Sequence, residues 1–144
     1  MRVMILVKSD ETTETGDLGD EKLFAEMGKF NEELVNAGVM LAGEGLHPSS
    51  EGVRVRFEGE KRTVIEGPFP GPKDLVAGFW LWQVASLEEA IEWLKRAPFE
   101  GGAEIEIRQV MEADDFGAEF SPELREQEER LRARMEERSK ASSR

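Results

Sequence analysis

The chain has 144 residues, a formal net charge of −12 and no cysteine. That length suits one domain with a single hydrophobic core and an appendage, and the lack of cysteine excludes disulfides, a thiolate nucleophile and any Cys-based metal site. Residues 121–144 hold seven Lys/Arg and six Asp/Glu, so residues 1–120 carry −13, and an acidic body repels phosphate backbones and anionic headgroups, which argues against nucleic acid and membrane as partners.

No run approaches the ~20 apolar residues of a membrane span, and the apolar start is too short for a signal peptide. A cytoplasmic location is expected. Arg2–Lys8, rich in Val, Ile and Leu, predicts a buried strand. A polar, acidic loop over Ser9–Gly19 follows, and Asp20 then caps a helix over Glu21–Ala37. Leu23, Met27, Phe30 and Leu34 fall at the spacing of one helical face, and Gly38 supplies the left-handed stop.

Val39–Leu46 predicts a second strand. Val53–Phe57 alternates strictly, Glu58-Gly59-Glu60 turns the chain, and Arg62–Glu66 returns it as a hairpin with one polar face. The Gly- and Pro-rich Gly67–Pro72 projects from the sheet, because proline cannot donate to a ladder. Phe79–Ala85 carries bulk on both faces: Phe79, Leu81 and Gln83 on one, Trp80, Trp82 and Val84 on the other. Both faces therefore need cover. Ser86-Leu87-Glu88-Glu89 is a capping box opening a helix with the apolar stripe Leu87, Ala90, Ile91 and Leu94, closed by Pro98. Ala103–Met111 supplies the last strand.

Ser121-Pro122 starts a separate, highly charged helix over 122–138, whose only strong apolar positions are Leu124, Leu131 and Met135. It lies across a partner or stands in solvent supported by pairs such as Glu126–Arg130 and Glu128–Arg132. Ser139–Arg144 is expected to fray. The expected division is a domain over 1–112 and a helical extension over 113–144.

Without the hairpin, the order strand, helix, strand, strand, helix, strand is the split βαβ pattern of an α+β, ferredoxin-like fold with both helices on one sheet face. The other face, carrying Phe79 or Trp80, would be an exposed apolar patch unless a symmetric homodimer buried it. Five markers in order also resemble one family: Gly43-Glu44-Gly45-Leu46-His47-Pro48, Val53–Phe57, Val64–Phe69, Gly78-Phe79-Trp80-Leu81 and Ser86-Leu87-Glu88-Glu89-Ala90. Together they resemble the DGPF branch of the YCII-related proteins, and the resemblance implies a dimeric α/β barrel. The signature Asp of that branch is Glu66 here. Some YCII relatives use a histidine on the first helix with a nearby aspartate as an acid–base dyad, but helix 21–37 contains no histidine, so the dyad does not carry over. Some relatives are encoded beside alternative sigma factors, which implies a transcription-linked role without DNA contact.

His47, the lone histidine, is the candidate for proton transfer, with Glu44 or Glu66 to orient it. Arg54 and Arg56 share one hairpin face and could clamp a small anionic ligand, and Lys73 and Asp74 follow the Pro-rich loop that could close over a cleft. Against each stands a plainer role, respectively a turn histidine, strand and turn carboxylates, and a solvated hairpin face. No metal site, cofactor or nucleotide motif is expected. Two functions result. One is a ligand-binding or regulatory module, with residues 121–144 reaching a protein partner. The other is a small enzyme eliminating or isomerising an anionic organic molecule. The missing dyad favours the module.

Overall fold

The computed structural model describes residues 1–142. The first strand, β1 (Arg2–Lys8), is followed by α1 (Glu11–Glu14), a single turn inside the segment expected to be loop. It forms because the Asp10 carboxylate accepts the Thr13 N–H at 2.7 Å and the Thr13 hydroxyl at 2.8 Å, a local cap that composition alone does not separate from a turn. Helix α2 (Glu21–Asn36) is capped by Asp20, which accepts the Leu23 N–H at 2.9 Å. Its end is a Schellman motif: Gly38 sits at φ +73°, and the Gly38 and Val39 amides donate to the Val35 and Leu34 carbonyls.

Four further strands follow: β2 (Met40–Gly45), β3 (Val53–Glu58), β4 (Lys61–Glu66) and β5 (Val76–Gln83). Helix α3 (Leu87–Lys95) and strand β6 (Ile105–Gln109) come next. Strand β5 starts three residues before the aromatic run. At α3 the Ser86 hydroxyl accepts the Glu89 amide as expected, but the Glu89 carboxylate returns to the Ala85 amide rather than to Ser86.

The main sheet has the order β2-β5-β1-β6, antiparallel throughout, with the hairpin β3–β4 as a separate two-stranded sheet. This is the α+β, ferredoxin-like arrangement with an inserted hairpin. Strand alternation sorts its side chains. Val3 and Ile5 of β1 and Trp80 and Trp82 of β5 face the helices, where Phe30 and Leu34 of α2 and Ala90 of α3 complete the buried core. Phe30 stands edge-on to Trp80, and Trp80 to Phe99. The opposite face carries paired rows: Glu44, Phe79, Leu6 and Glu106, then Ala42, Leu81, Met4 and Arg108. Both helices pack on the other side, so neither covers these rows.

The chain divides into two compact units, Met1–Val110 and Met111–Arg144. In the second, α4 (Pro122–Ser142) runs through Ser139–Ser142, which the sequence reading expected to fray; residues 143–144 lie outside the described residues. The Glu126–Arg130 and Glu128–Arg132 pairs form at 3.1 and 2.9 Å, and such pairs support a helix with little apolar surface to bury. Among the described residues no helix is long and apolar enough to cross a membrane.

Candidate functional site

Three glycines shape one cleft of the body. Gly43 and Gly45 of β2 and Gly78 of β5 lie where the two strands meet beneath α2, and the missing side chains leave a cleft of about 250 Å³. Its walls are Val7, Met27, Met40, Trp80 and Phe99, and Asn31 is its polar side chain on α2. A β-carbon at Gly43 would come within 2.7 Å of both Trp80 and Met40, and one at Gly78 within 3.0 Å of the Glu44 carbonyl. A β-carbon at Gly45 would meet nothing within 4 Å.

Asn31 is held in place. Its Oδ1 accepts the Trp80 Nε1–H at 2.9 Å, which fixes the side-chain orientation and leaves the amide NH₂ as a donor. The bond also satisfies an indole donor that burial would otherwise leave costly. By contrast, the buried Trp82 Nε1 and Ser9 Oγ have no hydrogen-bond partner among the described residues. Glu44 and Phe79 contribute to the cleft floor, but strand alternation sends their side chains to the other sheet face.

The residues singled out in the sequence are dispersed around this cleft. His47 pairs through Nδ1 with Glu51 Oε2 at 3.1 Å, on a turn where its side chain is 85% exposed. Among the described residues the carboxylate beside the imidazole is Glu51 rather than Glu44 or Glu66. Glu66 ends β4 opposite Val53 and is exposed. The Arg54 guanidinium stacks 3.9 Å from the Phe69 ring centroid, and Arg56 Nε lies 3.8 Å from Glu58. Lys73 and Asp74 form a short 3-10 turn, closed by the Asp74 N–H donating to the Gly71 carbonyl. Of these candidates only Glu44 borders the cleft. Among the described residues no group of three or more His, Asp or Glu is placed to hold a metal ion.

The Glu66-Gly67-Pro68-Phe69 turn is built into the scaffold. A β-carbon on Gly67 would fall 1.7 Å from the Ser49 carbonyl oxygen, so only glycine fits. The Gly67 amide donates to the Gly52 carbonyl, and the Phe69 amide donates to Ser49 Oγ at 3.0 Å. Ser49 is itself anchored, its amide and hydroxyl both donating to the Glu14 carboxylate. Glu14 thereby ties α1 to the root of the hairpin.

Asn31 escaped the sequence reading although it carries a signal: a polar residue four after Met27 and three before Leu34, inside an apolar helical stripe. The glycine floor had no such signal, because it combines two strands 33 residues apart that only the sheet brings together.

A solved structure, the 5-chloro-2-hydroxyhydroquinone dehydrochlorinase of Burkholderia phenoliruptrix in complex with 2,5-dihydroxybenzoquinone, is similar with a TM-score of 0.40 and 14% identity, over 79% of this chain and 98% of that one. An uncharacterised protein of Rhizobium meliloti is 28% identical over 76 residues, spanning 53% of this chain and 61% of the relative. The family model of the YCII-related domain matches residues 1–114, and the chain belongs to that family.

Proposed function

We propose that this protein is a dimeric small-ligand-binding domain that holds a compact, neutral, largely apolar molecule in the cleft above β2 and β5. The observation that carries the reading is Asn31, locked by Trp80 over a floor of glycines with its NH₂ free to donate. A few placed polar groups in an apolar cavity are the usual make-up of a ligand site. The volume of about 250 Å³ limits the occupant to roughly the size of a substituted single ring. Arg54, Arg56 and Lys73 are not among the lining residues, so none of these three would favour an anion in this cleft. The dimer accounts for the sheet face bearing Met4, Leu6, Phe79 and Leu81, which a second copy would cover.

The test uses benzamide and phenol as probes, followed by amide NMR. Binding should shift the Asn31 side-chain NH₂ and the Gly43, Gly45 and Gly78 amides. Gly45→Leu, whose side chain would enter the open space, should abolish those shifts while leaving the fold intact. Shifts elsewhere, or shifts unchanged in Gly45→Leu, sink the reading.

The His47–Glu51 pair supports a second reading, a small acid–base enzyme acting on an anionic organic molecule. A histidine held by a carboxylate is the geometry of proton transfer. The 85% exposure of the imidazole counts against it, because water competes for every proton it would move. With a substrate in hand, His47→Gln would abolish turnover under this reading and leave benzamide binding untouched under the first.

A further inference from the structure

We infer that the β3–β4 hairpin is an arm that lies on a second copy of this chain; the inference rests on the dimer proposed above. Among the described residues the hairpin pairs with no other strand. Cross-strand register places Val53, Val55 and Phe57 of β3 on one face with Val64 of β4, and these four are 62%, 48%, 70% and 64% exposed. The other face is fastened at its root, with Arg54 over Phe69 and Ile65 half-buried.

A lone two-stranded hairpin is marginal in water and gains stability from a surface that covers its apolar side. The four side chains present roughly 400 Å² of apolar area, the size at which an exposed patch marks an interaction surface. That is about half of the ~800 Å² each partner gives to a stable interface, so the arm suits an auxiliary clasp alongside a larger contact. The half-buried rows of the main sheet, on the face opposite α2 and α3, would supply such a contact on the same molecule. The Gly67 N–H donating to the Gly52 carbonyl closes the base of the arm, and the Leu46 N–H donating to the Ala77 carbonyl extends the β2–β5 pair towards the segment that leads into it. Its six-residue strands reach roughly 20 Å from there.

Charge selects the partner. From Val53 to Glu66 the arm carries Arg54, Arg56, Lys61 and Arg62 against Glu58, Glu60 and Glu66, a net of +1 on a chain of −12. A weakly basic arm on a strongly acidic body fits the body of another copy. The Arg62 guanidinium lies 4.4 Å from the Phe57 ring centroid, so a basic group borders the apolar face itself.

The experiment is sedimentation velocity of the full chain over a concentration series, wild type against Val55→Glu/Phe57→Glu. Both positions are exposed in the single chain, so the fold should survive, as unchanged far-UV circular dichroism would confirm. The double variant should raise the dimer dissociation constant at least tenfold, and added salt should weaken the wild-type dimer. Val35→Glu, exposed on α2, should dimerise like wild type. Because the chain has no cysteine, Phe57→Cys gives a second readout: its maleimide labelling should slow as the dimer forms. A double variant that dimerises as tightly as wild type, with Phe57→Cys labelled equally fast at all concentrations, overturns the arm and leaves the dimer standing. A wild-type chain monomeric throughout overturns the dimer, and the arm with it.

Discussion

Two sheets in this chain share the same alternating pattern and meet opposite fates. In the four-stranded sheet, Trp80 and Trp82 alternate with Phe79 and Leu81, and the tryptophans are buried against Phe30, Leu34 and Ala90. In the two-stranded hairpin, Val53, Val55 and Phe57 alternate with arginines, yet every residue of β3 is exposed. The apolar residues of the hairpin are strong enough strand formers to make the ladder, but their side chains stay exposed. Alternation therefore specifies which residues share a side, while the neighbours decide whether that side is a core or a surface.

The sharpest test of this contrast sets Trp82→Ala against Phe57→Ala. Trp82 is fully buried, so its truncation should cost about 3–5 kcal/mol and lower the thermal midpoint accordingly. Phe57→Ala should change the unfolding free energy of the dilute single chain by no more than about 0.5 kcal/mol. Equal losses in urea melts would break the comparison.

The root of the hairpin should behave like the body. Gly67→Ala forces a methyl into the Ser49 carbonyl and should destabilise the fold by about 2–3 kcal/mol in the same melts. If it is neutral, the turn is looser than its packing. Glu14→Ala removes both bonds to Ser49 and should cost about 1.5 kcal/mol. Hydrogen exchange should then quicken at the Gly52 and Gly67 amides and not in β1 or β5.

The smallest effect is that of pH on the cap of α1. The Thr13 backbone amide, and secondarily its hydroxyl, hold the Asp10 carboxyl below its usual value of 3.8. A depressed folded-state value means the contribution is complete well above 3.8 and is lost as the pH falls through the lower folded value. Asp10 is exposed, so solvent screening keeps this contribution slight. Asp10→Asn should flatten that part of the stability profile below pH 4, and an unchanged acid limb would count against the cap.

Much of the fold was legible because its signals are local. The Leu23, Met27, Phe30, Leu34 stripe, the Asp20 and Ser86 caps and the Gly38 stop each act within a few turns and formed, and the strand expected over Phe79–Ala85 formed from Phe79 to Gln83. The candidate site was far less legible. His47, Arg54 and Arg56 drew attention by residue type, but His47 faces Glu51 in solvent and the arginines serve the hairpin. Asn31 carried only the signal of a polar residue in an apolar stripe, and the three glycines gained meaning once Trp80 lay above β2, because a cleft is a relation between elements.

Local chemistry in the chain was enough to determine the six strands, the three longer helices and the overall α+β order, though not every boundary, since capping, alternation and helical periodicity are interactions between residues close in sequence. Tertiary structure alone decided that Trp80 would orient Asn31, that Gly67 would press against Ser49, and that the hairpin would stand apart from the main sheet. Those outcomes depend on side chains 49 and 18 residues apart and on which faces meet, and no local preference encodes them.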